Sequence, residues 1–311
     1  MDGKQLQQQY KNHISDYQSW DQKDHAEDWI LYPNNAGIHL SIDETALSNG
    51  ELYTIVTNKA AKGRKGALVA MVKGTQADTV IEVLRKIPKR IRHKVKEVTL
   101  DMAANMNKII TRCFPKADRV IDRLHVQKLA YEAVQEIRIK YRWEALDQEN
   151  EAIGAAKQAG ITYEPVILEN GDTEKQLLAR SRYLLFKHWD KWTSSQIKRA
   201  NILFVRFPLL KQAYNISMEL GTIFRSSSSK GGAFPKLGLW YNKVDDSGIA
   251  SFKTVVRSIQ THYEGILNYF KNKSTNASAE SFNAKIKSFR SSSRGVRDIK
   301  FFLFRLTKLY A

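Results

Sequence analysis

The chain has 311 residues, 42% hydrophobic and 26% charged, an ordinary globular balance with enough length for one large or two ordinary domains. Lys and Arg number 50 against 32 Asp and Glu, and the resulting charge of +18, with a pI near 9.8, points to a polyanionic partner, nucleic acid ahead of a membrane surface. No apolar run approaches the ~20 residues that cross a bilayer, the Gln-rich N-terminus lacks the apolar segment of a secretory signal, and the lone cysteine, Cys113, excludes an internal disulfide framework or a cysteine-cluster zinc site. Together these features predict a cytoplasmic protein.

Residues 1 to about 36 read as a polar, helical lead-in ending at the turn Pro33-Asn34-Asn35. From Gly37 the pattern changes to strands. Ile38, Leu40 and Ile42 alternate with His39, Ser41 and Asp43. A turn at Asn49-Gly50 leads to a second strand, Leu52 to Thr57, and a basic turn, Lys59 to Gly66, leads to a third, Ala67 to Val72. This is an antiparallel meander. Thr79 to Ile91 reads as a helix interrupted or ended by Pro88. A fourth strand, Glu97 to Asp101, a helix from Asn105 to Phe114 and a short fifth strand, Arg119 to Ile121, follow. The order implies an α/β layer in which parallel strands extend a meander. Val126 to Leu146 is a long helix. From about 147 to about 272 the chain reads as a mostly helical insertion, clearest at Lys175 to Trp192 and Ile249 to Phe270, with a mobile basic loop at Arg225 to Gly232. No linker divides the chain cleanly and no repeat recurs.

The acids are placed suggestively. Asp43 and Asp101 end the first and fourth strands, where open α/β sheets gather their ligands. Each shares its parity with a polar neighbour, Ser41 or Thr99. Two adjacent carboxylates repel unless a cation lies between them, and oxygen-only ligation suits Mg²⁺ or Mn²⁺. Downstream, Asn276 to Arg294 is helical, with Ala279, Phe282, Ile286 and Phe289 on one face and Glu280, Asn283 and Lys287 on another. Lys285, Arg290 and Arg294 make its surroundings basic. Bringing Glu280 to the edge shared by Asp43 and Asp101 makes a three-acid site able to hold two metal ions at a phosphodiester. The plainer alternatives are turn-forming aspartates and a surface helix whose Glu is a solubility charge.

The segments GIHLSIDETAL, VTLDMAANM, VIDRLHV and NASAESFNAKIKSFR resemble, in order and spacing, the catalytic core of bacterial insertion-sequence DDE transposases of the ISL-three group. The resemblance covers about Gly37 to Leu309. It implies an RNase H-like mixed sheet flanked by helices, with the helical insertion before the last catalytic helix. It also implies that Asp43, Asp101 and Glu280 form a catalytic, metal-binding triad loaded with two Mg²⁺ or Mn²⁺ ions, acting on double-stranded DNA at element ends and target. Asp122 and His125 resemble a motif found after the second acid in related transposases, as residues behind the metal ligands; a helix cap and a packed histidine remain the alternative.

Asn283, Lys287, Arg290 and Arg294 are candidate DNA contacts. The cluster Arg85, Lys86, Lys89, Arg90, Arg92 and Lys94 reads as a solvated helix face that adds to the protein's field. Trp189, Trp192 and Trp240 are candidates either for stacking on an unpaired base or for core. The sequence departs from the family in lacking the usual N-terminal zinc-binding and helix-turn-helix region, so either a separate protein supplies end recognition or the chain is a catalytic half cut away from its partner. A homo-oligomer is expected in the active complex and nucleoid association in the cell. The competing functions are a structure-selective nuclease and a domesticated or incomplete transposase that only binds DNA. No phosphate-binding glycine loop supports an ATPase.

Overall fold

A computed structural model describes residues 3–47, 51–293 and 296–311; the expected Asn49-Gly50 turn and Arg294 lie outside the described residues. The chain forms two units, one comprising the residues up to Asp122 together with Glu264–Ala311, the other Arg123–Tyr263.

The first unit begins with the helix α1 (Gly3–Gln9) and is built on one six-stranded sheet: β1 (Trp29–Leu31), β2 (His39–Ala46), β3 (Leu52–Asn58), β4 (Leu68–Lys73), β5 (Glu97–Leu100) and β6 (Asp118–Ile121). Their spatial order is β1-β4-β3-β2-β5-β6. β2, β3 and β4 make the expected antiparallel meander, and β5 and β6 extend it in parallel from β2. The strand β1 was not expected in the lead-in. It is three residues long, too short for a visible alternation, and owes its place to pairing with the edge of β4 and to the buried Ile30.

Tyr53 to Thr57 and Leu68 to Val72 are buried without interruption. An antiparallel sheet exposed on one side alternates, so unbroken burial means that both faces are covered. On one face lie α2 (Ala77–Arg85), the single turn α3 (Lys89–Arg92) and α4 (Ala104–Cys113). Pro88 separates α2 from α3, because a prolyl nitrogen cannot donate to the ladder and its ring crowds the preceding turn. Cys113 is fully buried here as a small core residue, and desolvation pushes its thiol up to about 11. The other face carries α12 (Ala277–Ser292) and α13 (Ile299–Tyr310). Phe282 and Ile286 of α12 and Phe302, Leu303 and Leu306 of α13 pack on Tyr53, Ile55, Leu68 and Met71.

At the start of β5, Glu97 is buried and binds Lys59 (3.4 Å) and Asn272 (3.0 Å). Burial would raise its pKa, but hydrogen bonds from Ser274 and Asn272 and the charge of Lys59 together hold it below the ordinary glutamate value. The folded pKa thus lies under the unfolded one. The resulting stabilisation is complete above the unfolded value of about 4.3 and is lost as pH falls through the lower folded value. Acid titration of unfolding free energy is therefore expected to fall more steeply below about pH 4.3 for the wild type than for Glu97→Gln; parallel curves would refute the assignment.

The second unit is all helix among the described residues: α5 (Arg123–Gln158), α6 (Glu174–Arg180), α7 (Ser194–Arg206), α8 (Pro208–Ser226), α9 (Lys230–Ser247) and α10 (Ala250–Thr261), with α11 (Tyr263–Asn272) leading back to the first unit. α5 runs twelve residues beyond the expected Leu146. Thr173 and Thr193 form capping boxes with Gln176 and Gln196, which fixes the starts of α6 and α7. The expected helix from Lys175 to Trp192 is broken into α6 and two short 3-10 turns, and that from Ile249 to Phe270 is split at His262. The expected mobile loop at Arg225 to Gly232 is largely helical instead. Arg225 lies in the last turn of α8, and Ser229 caps α9 by accepting a bond from the Gly232 N–H, so three glycine- and lysine-rich residues start a helix. No described helix is long and apolar enough to cross a membrane.

Candidate active site

β2 lies at the centre of the sheet, with Leu40 and Ile42 turned to the face covered by α2 and α4 and Ser41 and Asp43 turned toward α12. Its parallel register with β5 pairs His39 with Glu97 and Ser41 with Thr99. Carried one pleat further, that register sets Asp43 level with Asp101. In the same way β5 pairs Leu100 with Ile121, so Asp101 is followed across the next gap by Asp122. Asp101 and Asp122 directly follow β5 and β6, whereas β2 runs three residues past Asp43 to Ala46, because its pairing with β3 continues there, so Asp43 lies within its strand and not at its end as the sequence suggested. The three aspartates still lie side by side toward the carboxyl ends of three adjacent parallel strands.

Each is oriented by the backbone around it. The Glu44 N–H donates to Asp43 Oδ1 (2.9 Å), and the Ala103 N–H donates to Asp101 Oδ1 (2.9 Å) in the turn that opens α4. Both aspartates are half-buried. Asp122 is fully buried, and its Oδ2 accepts the N–H of Asn276 (2.6 Å), the residue that caps α12. A buried carboxylate holding a helix-start amide satisfies an otherwise orphaned donor. His125 lies in the first turn of α5, in the second unit, and its Nε2 has no hydrogen-bond partner among the described residues.

The helix α12 meets the sheet through Asn283, whose Nδ2 donates to Asp43 Oδ2 (2.7 Å). Asn283 is buried and its Oδ1 has no partner among the described residues. Glu280 stands one turn earlier on the same stripe, exposed, and Lys287 one turn later, also exposed. Arg290 is half-buried, 3.5 Å from Glu51 and with its guanidinium over the Phe302 ring. Lys285 leaves this stripe and donates to the Gly63 carbonyl (2.9 Å).

Among the described residues no three His, Cys, Asp or Glu side chains close around one point at metal-binding range. Asp43 and Asp101 share an edge, and Glu280 stands on the helix joined to Asp43 by Asn283. The donors are all carboxylate oxygens, a hard set suited to Mg²⁺ or Mn²⁺ and unsuited to a thiolate-bound metal. Adjacent aspartates in a half-buried setting also repel without a counter-charge, so the pair fits a divalent cation.

Asn105 escaped the sequence reading. Its Nδ2 donates to Glu44 Oε1 (2.8 Å) and to the Thr75 carbonyl (3.1 Å). It thereby ties the helix that follows Asp101 to the strand that carries Asp43. Its partners lie 61 and 30 residues away in the chain, so no local spacing announced it. The tryptophans divide: Trp240 is fully buried with its Nε1 bonded to the Ile216 carbonyl (2.9 Å), Trp192 is half-buried, and Trp189 is 62% exposed. Of these three, Trp189 presents its ring to solvent, as stacking on a base requires.

A six-stranded mixed sheet with carboxylates side by side on its parallel strands and helices on both faces defines an RNase H-like protein. The sequence profile of the ISL3-type DDE transposases, described as transposase, matches residues 40–306, and the chain belongs to that family. It is similar to the transposase for insertion sequence element IS1001 of Bordetella parapertussis, at 23% identity over 270 residues; the match takes in 86% of this chain, which spans 60% of that relative's length.

Proposed function

We propose that the chain performs the chemistry of insertion-sequence transposition: divalent-metal-dependent cleavage of DNA at the element's ends, then joining of the freed 3′-hydroxyl to target DNA. The observation that carries this reading is the Asn283–Asp43 hydrogen bond (2.7 Å), which joins the helix bearing Glu280 to the strand bearing Asp43.

In this reading Asp43, Asp101 and Glu280 are the residues that would hold the divalent ions, Glu280 from its exposed position on α12. The ions, when bound, supply charge neutralisation at the phosphodiester and a more acidic attacking oxygen. The protein's own part is positioning. The Glu44 and Ala103 amides and Asn283 fix the carboxylate orientations, and a misplacement of about 1 Å in such a site can cost on the order of 10²-fold. Lys287, exposed one turn beyond Asn283, is suited to a phosphate contact. Arg290, already paired with Glu51, serves the DNA less directly. Asp122 anchors the start of α12. Two chains act together on two ends, in the cytoplasm at the nucleoid.

The test is a strand-transfer assay with duplexes carrying the terminal repeats that flank the chain's own gene, in Mg²⁺, Mn²⁺ and EDTA. Joined products that require the metal are expected. Hydrolysed ends without joining would favour a nuclease, and DNA binding without any product would favour a protein that only binds. The last of these outcomes has an observation behind it, since among the described residues Glu280 is not drawn into a ligand set with the aspartates.

A further inference from the structure

The cations from Arg85 to Lys96 do not form one helix face. This stretch carries seven Lys or Arg in twelve residues and no acid. The chain breaks at Pro88, makes the single turn of α3, and enters β5 directly after Lys96. The result is to bring Lys89, Arg90, Lys94 and Lys96 to the edge of the sheet opposite the aspartates, while Lys86 lies over the Trp29 ring of β1.

Several contacts fix that placement. The Lys96 N–H donates to the Ile38 carbonyl at the start of β2 (2.8 Å), and the Lys96 carbonyl accepts from Asp118 at the start of β6 (2.8 Å). Arg92 serves as a staple, giving Nε to the Ile87 carbonyl (3.0 Å) and Nη1 to the Cys113 carbonyl (2.9 Å), which brings α3 against the end of α4 just before Lys116. From the other side, the β3–β4 turn contributes Lys62. Gly63, which follows it with φ +67°, has a carbonyl pinned by Lys285 (2.9 Å), so that turn is held in shape.

The acids at this edge are already engaged. Glu97 is buried against Lys59, and Asp118 is paired with Lys271 (2.8 Å). Among the described residues, Lys62, Lys89, Arg90, Lys94, Lys96 and Lys116 are exposed and have no carboxylate at ion-pair range. His93, in their midst, has its pKa lowered, by desolvation and by the charges of Lys116, Lys89 and Arg92, which is what a local excess of positive potential produces.

We propose that this edge, presenting Lys62, Lys89, Arg90, Lys94, Lys96 and Lys116, is a second DNA-binding surface that grips a duplex by its phosphates, apart from the strand at the carboxylates. The row runs from the β3–β4 turn across β2 and β5 to β6. Three inter-strand gaps of about 4.8 Å give it a length of roughly 14 Å. Duplex DNA presents one charge per ~1.7 Å, so about eight phosphates lie along that distance, a match for six unpaired cations. An acidic protein surface would offer no such regular density of charge. The inference rests on the reading above that DNA is the substrate, and it places a further length of duplex, away from the strands that react at the carboxylates, on a surface that does no chemistry.

The test counts duplexes per chain. A ~15 base-pair duplex, long enough to span the ~14 Å row with margin, is titrated in EDTA into the wild type, Lys89→Gln/Lys94→Gln/Lys96→Gln, and a control of equal charge loss on α5, Lys128→Gln/Lys140→Gln/Lys157→Gln. Unchanged circular dichroism and melting establish that each variant is folded. The wild type and the control are expected to bind two duplexes per chain and the edge variant one. The slope of log K against log salt is expected to fall by about 2–3 in the edge variant only, at roughly 0.9 per lost phosphate contact. Equal stoichiometry and slope in all three proteins would overturn the proposal. One duplex on the wild type and none on the edge variant would support the surface while removing the DNA contact at the carboxylates, so the two readings fail separately.

Discussion

Asp101→Asn is expected to abolish cleavage of end-bearing DNA in Mg²⁺ while leaving DNA affinity within about twofold of the wild type. The substitution keeps size and the Ala103 N–H bond to Oδ1, so the turn into α4 is retained, but it removes one of the two charges proposed above to hold a cation. Metal ions supply several kcal/mol of transition-state stabilisation, and each ~1.4 kcal/mol is tenfold in rate, so a loss on the order of 10³-fold or more is expected. Affinity should hold because it comes chiefly from the basic surface. Asp43→Asn should behave alike, with an added effect on its bond to Asn283. Single-turnover cleavage together with filter binding checks both. Residual cleavage within tenfold of the wild type would remove Asp101 from the chemistry.

Phe282→Ala is expected to lower the unfolding free energy by about 3–5 kcal/mol, the usual range for emptying a large aromatic site. Phe282 is fully buried on Tyr53, Ile55 and Met71 and lies edge-to-face with Tyr310, ring centroids 5.1 Å apart. It is the apolar anchor of α12, two residues after Glu280 and one before Asn283. Cleavage should therefore fall in the variant even at temperatures where it remains folded, and Phe282→Leu should recover most of both losses. Urea unfolding of the three proteins checks the stability, and a loss under about 1 kcal/mol would mean that α12 is held by other contacts.

Much of this fold was legible because its signals are local. The alternation in Gly37 to Asp43, the apolar runs of β3 and β4, and the stop at Pro88 follow from the two-residue pleat of a strand and the missing prolyl donor, so neighbours in the chain suffice to read them. The helix around Glu280 was legible for the same reason, since its two stripes recur every three or four residues. The failures are of the opposite kind. β1 exists through its pairing with β4, α9 begins where glycines suggested a loop, and the long helices drawn through Lys175–Trp192 and Ile249–Phe270 break where packing interrupts their periodicity.

At the candidate site the division is the same. The sequence by itself determined which acids lie on or directly after strands, that they are carboxylates suited to a hard cation, and that the chain carries a large positive charge. These are properties of residue type and local spacing. Only the tertiary structure decided that Asp43 lies beside Asp101 and Asp122 toward the carboxyl ends of neighbouring parallel strands, that Asn283 bonds Asp43 and Asn105 bonds Glu44, and that Lys89, Arg90, Lys94 and Lys96 come to the far edge. Each of these joins residues tens to hundreds of positions apart. Strand register and hydrogen bonds across such distances follow from how whole elements bury their apolar faces, and no window of sequence contains that information.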